Sequence, residues 1–218
     1  MPRSFLMVVA LLALIAALVQ AQNPVPKQFV LEGRARAERE APHLIQALEL
    51  KPGMIVADVG AGIGFMTVPL ARWLGDGRVI ATEIDEPRRR ETRDYARREG
   101  LTNVTVMEGA AASTNLPTAC CDAIFLRRVY HQITEPAAFN RSLATALKPG
   151  GRLAIISFIP TGTPPLPTGT VVNRGPTGVP VQTVIQEMKA AGLEHVRTIE
   201  GWPPGEPAST NFLALFRK

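Results

Sequence analysis

Residues 54–59, Met-Ile-Val-Ala-Asp-Val, form an apolar run broken only at Asp58. Glycines follow at alternate positions, Gly60, Gly62 and Gly64. A helical pattern then covers 65–74 and stops at Gly75. A buried strand that passes through a glycine-rich turn directly into a helix is the opening of a crossover unit, in which a second, parallel strand must follow. No other feature of the chain narrows its fold as much.

The rest of the pattern agrees. Residues 31–50 read as a helix before the first strand, closed by the Lys51-Pro52-Gly53 turn. Strands are expected at 78–83, 103–107, 122–127 and 152–158, with helices at 86–99 and 137–147 and a turn at Lys148-Pro149-Gly150-Gly151. Strands that alternate with helices form a mostly parallel sheet covered on both faces. A helix at 181–191 and two strands, 195–200 and 211–216, complete the chain, and only a Trp-Pro-Pro-Gly turn stands between those strands. They should pair antiparallel. The expectation is an α/β fold: a Rossmann-like doubly wound sheet, mostly parallel, with an antiparallel C-terminal strand. Between the fifth strand and the last helix, residues 159–180 are rich in proline and glycine. A loop of that length in a compact domain is commonly functional, and this one leaves the same sheet edge as the glycine turn. It is read as a lid or, alternatively, as an irregular surface excursion.

In an open parallel sheet, ligands bind beyond the carboxyl ends of the strands. The glycine turn does not fit the dinucleotide spacing G-x-G-x-x-G, because a start at Gly60 would require glycine where Phe65 stands. No Lys-Ser or Lys-Thr follows, which removes the Walker A phosphate cradle. Glu83 ends the second strand, 19 residues after Gly64. A carboxylate there can accept hydrogen bonds from both hydroxyls of a ribose.

Six segments in this order and spacing, "LKPGMIVADVGAGIGF", "GRVIATEID", "LTNVTVMEG", "DAIFLRRVYHQI", "ALKPGGRLAII" and "NFLALFRK", make the chain from about residue 31 to 218 resemble the class I S-adenosylmethionine-dependent methyltransferases. Within them it looks most like the small bacterial proteins related to ubiquinone-biosynthesis and other small-molecule methyltransferases. The resemblance implies S-adenosyl-L-methionine as cofactor. Asp58, Gly60, Ala61 and Gly62 would line its methionine and ribose part, Glu83 would hold the ribose, and Ile84 would pack on adenine. Gly109 and Ala110, after the third strand, would lie at the adenine end. The family usually has an acid at the position of Ala110, so adenine would be held by backbone and apolar contact, with Glu108 as the other acid nearby.

Methyl transfer from a sulfonium is an in-line displacement in which the protein mainly supplies alignment. A base is needed only where the acceptor must lose a proton. Tyr130 and His131 follow the fourth strand and are the catalytic candidates, His131 as base or acceptor-positioning group and Tyr130 as pocket wall. Arg127 and Arg128 can draw an acidic substrate or be salt-bridged. His43 and His195 lie away from the glycine turn, and no metal-ligand constellation is present. The functional expectation is methyl transfer to a small-molecule acceptor. The alternatives are an exported cofactor-binding or scaffold protein with this fold and little activity, and, more weakly, a nicotinamide reductase.

The chain of 218 residues carries a formal net charge of +5. Its arginine clusters, Arg88-Arg89-Arg90 and Arg97-Arg98, are interleaved with acids on one expected helix, the pattern of a solvated face rather than a nucleic-acid surface. Arg3 precedes an apolar run over residues 5–19, with small residues at Val19 and Ala21. This reads as an export signal over residues 1–21, cleaved after Ala21. The alternative is an uncleaved anchor, which would associate the protein with a membrane. Residues 22–30 read as a linker and 31–218 as the domain. Cys120 and Cys121 are the only cysteines. Adjacent residues are too close for an easy disulfide, so they are expected as small hydrophobes entering a strand.

Overall fold

The computed structural model describes residues 26–158, 178–206 and 209–218. The expected signal segment and all of the expected lid except its last three residues lie outside the described residues. Contacts divide the chain into two compact units, 1–35 and 36–218. The described part of the first unit is helical from Lys27, with Gln28 Nε2 donating to Glu32 Oε1 at 2.7 Å.

The elements are α1 (Lys27–Leu48), β1 (Ile55–Val59), α2 (Thr67–Leu74), β2 (Arg78–Glu83), α3 (Glu86–Arg98), β3 (Val104–Glu108), β4 (Cys121–Arg127), a single 3-10 turn (Tyr130–Gln132), α4 (Pro136–Ala146), β5 (Leu147–Phe158), α5 (Val181–Ala190), β6 (Glu194–Glu200) and β7 (Asn211–Arg217). The strands form one seven-stranded sheet in the order β3-β2-β1-β4-β5-β7-β6. β1 to β5 run parallel, while β7 pairs antiparallel with both β5 and β6. The doubly wound expectation holds, reversed end included.

Two-residue alternation along the strands divides the core. Ala57, Leu153, Ile155, Phe212, Ala214 and Phe216 face one side with α4 and α5 residues such as Leu143 and Met188. Val56, Ala154, Ile156, Leu213 and Leu215 face the other with Leu44 and Leu48 of α1 and Leu70 and Leu74 of α2. Both faces are covered, as a parallel sheet requires.

Most boundaries shift by one or two residues, and three differences from the sequence expectation bear on the fold. α1 begins at Lys27, inside the stretch read as a linker. α2 begins at Thr67 rather than at 65, because Gly64 is left-handed (φ 81°) and its N–H closes a turn onto the carbonyl of Ala61. The expected turn at 148–151 is counted within β5, yet Leu147 pairs with Cys121 and Arg152 with Ala123. The four residues between them bulge out of register, with Gly150 at φ 76° and its N–H donated to the carbonyl of Lys218. The Lys-Pro-Gly-Gly turn therefore exists as a bulge held by the C-terminus.

Cys120 and Cys121 are joined as a disulfide. This corrects the reading of two free thiols, although Cys121 does sit in the core as expected.

Candidate functional site

The chain leaves β1 for β2 and β3 on one side of the sheet and returns at β4 on the other. The switch point therefore lies between β1 and β4, and the segments after these two strands meet there. A Cβ placed on Gly60 would come within 2.4 Å of Val129 Cγ2, just beyond β4. Gly60, at φ 74°, thus fills a double need for glycine: a left-handed backbone and room for a neighbour. Gly62 has φ 60° and open space where a side chain would stand. Of the three glycines of the turn it is the one with room for a neighbouring group at that position.

The N–H groups of this turn are committed. Gly60 and Ala61 both donate to the carbonyl of Thr82, at 2.8 and 3.0 Å, and Gly62 donates to Glu83 Oε2 at 2.8 Å. A turn so arranged is not an anion cradle, which removes the physical basis for holding a pyrophosphate there. Close approach of the backbone remains, and the carboxylate of Glu83 favours a ligand with hydroxyls and positive charge.

Glu83 ends β2, 8% exposed. Its Oε1 accepts from the N–H groups of Ile84 (2.8 Å) and Asp85 (3.1 Å). With the bond from Gly62, three acceptor positions of about four are used, and the carboxylate is fixed before any ligand arrives. Arg89 of α3 braces the same strand end, its Nη1 donating to the carbonyls of Glu83 and Ile84 at 2.8 and 2.7 Å. Ile84 is 57% exposed, an apolar surface beside the carboxylate. Gly109 donates to the carbonyl of Glu83 at 3.1 Å, which brings the end of β3 alongside. Ala110 donates to the carbonyl of Ser113 at 3.0 Å, closing a small turn. Glu108 stands opposite Glu83 in the β2–β3 register, exposed and 4.0 Å from Arg89. Glu83, Ile84, Gly62 and Gly109 thus gather into one edge suited to an adenosine: a hydroxyl acceptor, an apolar face and open backbone.

Asp58 lies beneath this edge rather than on it. It is buried, and Thr67 Oγ1 donates to its Oδ2 at 2.6 Å. Burial pushes its carboxyl up to about 7, against the Thr67 hydrogen bond and the nearby Arg127 charge, which pull it down. Thr92 of α3 donates to the carbonyl of Gly62 at 2.9 Å and fixes the far side of the turn. Neither Thr67 nor Thr92 was singled out from the sequence. The position of Thr67 at the start of a helix, nine residues after Asp58, was the available signal.

Beyond β4 the candidates separate. Tyr130 is fully buried, its hydroxyl donating to Glu187 at 2.5 Å and accepting from Asn140 Nδ2 at 2.8 Å. It ties the 3-10 turn to α4 and α5 from within the core. His131 is 5% exposed, its ring 5.2 Å from that of Phe158. Burial lowers its pKa, so the imidazole is neutral at pH 7. Arg127 is salt-bridged to Glu40 at 2.7 Å, and Trp202 Nε1 donates to the same carboxylate at 2.8 Å. His43 packs edge-on near Trp202 and His195 meets Thr198, both outside the crevice. Among the described residues no cluster of potential metal ligands exists.

Residues 57–155, from β1 into β5, match the family described as "Methyltransferase domain". Over this stretch, just under half of the chain, it is similar to that family. It is 30% identical over 118 residues to a ubiquinone/menaquinone biosynthesis C-methyltransferase of Shewanella frigidimarina, covering 53% of this chain and 47% of that one. The chain thus spans about half the length of the curated relatives it matches. A SAM-dependent methyltransferase from Aquifex aeolicus has the same fold, with a TM-score of 0.61 at 23% identity, over 84% of this chain and 97% of that one. A phosphoethanolamine N-methyltransferase of Haemonchus contortus, in complex with S-adenosyl-L-methionine, gives 0.63 at 20% identity over 76% of this chain and 39% of that one. The six sequence segments that carried the family resemblance span the same region and continue to β7.

Proposed function

We propose that this protein transfers a methyl group from S-adenosyl-L-methionine to a small-molecule acceptor, and that it does so after export. The observation that carries the proposal is the switch-point edge: Glu83 fixed by three backbone N–H groups, beside an open glycine and an exposed Ile84. Bound there, the cofactor would supply an electrophilic methyl group, whose carbon–sulfur bond breaks as a bond to the acceptor atom forms.

The chain's own residues then have distinct tasks. Glu83 holds a ribose hydroxyl through its remaining acceptor position, and Ile84 and Gly109 give the adenine an apolar and backbone contact, with no carboxylate at Ala110 to bind its amino group. Gly62 lets the ligand approach the backbone, with Thr92 and Glu83 holding the turn in place. Asp58, bonded to Thr67, supports the turn from below. Tyr130 carries no step; it anchors the 3-10 turn that presents His131. Gln132 Nε2 lies 3.4 Å from His131 Nε2; with the amide as donor there, the neutral ring would carry its proton on Nδ1 and serve as a donor that positions the acceptor. This favours acceptors that need no deprotonation by the protein.

Export rests on Arg3 and the apolar run 5–19. Among the described residues no helix is long and apolar enough to cross a membrane. N-terminal sequencing of protein from its native host should begin at Gln22; an intact Met1 in a cytosolic fraction contradicts export. Methyl transfer is tested by incubating the protein with methyl-labelled cofactor and a cell-envelope extract. Label should enter an extractable small molecule. Label confined to macromolecules contradicts the acceptor class.

A further inference from the structure

Past the end of β4 two side chains lie against one ring. The guanidinium carbon of Arg128 lies 5.5 Å from the centroid of Phe158, and the imidazole of His131 lies 5.2 Å from it. Phe158 is the last residue of β5, the neighbour of β4 in the sheet. All three therefore stand at the carboxyl edge, next to Val129, which touches the glycine turn.

Both polar groups carry a buried nitrogen. Among the described residues Arg128 Nε and His131 Nδ1 have no hydrogen-bond partner. Buried polar nitrogens left in this way are costly, so such a pair calls for a function. Arg128 also lacks an ion pair among the described residues. The two acids nearest it in charge, Glu40 and Glu206, are engaged elsewhere, Glu40 with Arg127 and Glu206 with Arg39 at 3.9 Å. Its backbone is left-handed, φ 60°, an expensive conformation for a residue with a side chain. A 2.7 Å hydrogen bond from its N–H to the carbonyl of Ile156 holds it there. The chain is thus bent at Arg128 and pinned, with a cation that no acid among the described residues pairs directly.

Two unsatisfied donors, one of them cationic, and an aromatic wall define a ligand chemistry. We propose that the acceptor is a small organic acid whose anionic oxygen is taken by Arg128, with His131 Nδ1–H donating to an oxygen of the same molecule and Phe158 against its apolar body. This names the substrate class for the site proposed above and rests on that reading. Arg128 is then the residue that selects acidic over neutral acceptors; Arg127, held by Glu40, has no part in the selection.

Benzoate and its neutral counterpart benzamide probe the subsite. Their binding to the full chain is followed by calorimetry with and without S-adenosylhomocysteine, at two salt concentrations. Benzoate should bind at least tenfold more tightly than benzamide, and less tightly at high salt. Arg128→Gln should remove that preference while leaving S-adenosylhomocysteine affinity unchanged, and Arg128→Lys should restore part of it. The His131 ring should change its NMR shift on adding benzoate. Equal binding of the two probes, or an intact preference in Arg128→Gln, overturns the proposal. Failure of S-adenosylhomocysteine to bind would strike the methyl-transfer reading instead, and the probe comparison without it would still decide the subsite.

Discussion

Glu83 is where fold and ligand meet, and its substitution should show both roles. Glu83→Ala removes a charged acceptor from the ligand and leaves the N–H of Gly62 without its partner. Calorimetry should show S-adenosylhomocysteine affinity falling by about 1.5 to 3 kcal/mol. Thermal melting should show a lower midpoint as well. Unchanged affinity would remove Glu83 from the site. Asp58 makes a separate prediction. Its carboxyl ionises at about 7 in the folded protein against an ordinary 3.8, so the native state holds a proton that the unfolded chain has released. Stability from this group is full below pH 4, declines as pH rises through 4 to 7, and is then flat. Asp58→Asn keeps an acceptor for Thr67 and cannot ionise. Relative to wild type it should gain on the order of 2 to 4 kcal/mol between pH 4 and pH 8 in denaturant titrations. Parallel pH profiles would mean that Asp58 stays charged when buried. Glu83 was legible in the sequence because a strand end fixes where its side chain stands. The environment of Asp58 was not, since Thr67 and Arg127 reach it only through the packing of α2 and β4. Likewise Tyr130 follows a strand end by its number, yet its hydroxyl turns inward to Glu187 and Asn140, from α5 and α4.

At the scale of elements, the glycine turn reads differently in three dimensions. Its spacing pointed to a nucleotide; its hydrogen bonds show that the N–H groups serve the turn itself. Two substitutions separate the functions of the glycines. Gly62→Ala meets open space and bears only the cost of a left-handed backbone, about 1 to 2 kcal/mol, so the protein should fold but lose cofactor affinity. Gly60→Val drives a branched side chain into Val129, so it should lower the melting midpoint further and abolish binding. Normal binding in both variants would show that the turn does not touch the cofactor. Periodicity placed β2 at its observed limits, because Arg78 and Glu83 bound an apolar run. It placed the start of β5 five residues late, since a bulge that returns to strand pairing looks like a turn until the C-terminal strand is known.

Over the whole molecule, the reversal of β7 and the switch between β1 and β4 fix where a ligand can lie. The order of strands and helices made that topology legible, because crossover connections allow few alternatives. The brace joining Glu40 of α1, Arg127 of β4 and Trp202 was hidden, because its members are 87 and 162 residues apart from Glu40 in sequence. It occupies Arg127, and by doing so distinguishes that arginine from Arg128. The central claim is that the edge formed by Gly62, Glu83 and Ile84 takes an adenosine with no pyrophosphate. Calorimetric titration of the full chain with S-adenosylhomocysteine and, separately, with NADH tests it directly. One S-adenosylhomocysteine per chain should bind, NADH should not, and Glu83→Ala should weaken the first. Binding of NADH in preference, or of S-adenosylhomocysteine indifferent to Glu83, would contradict the account.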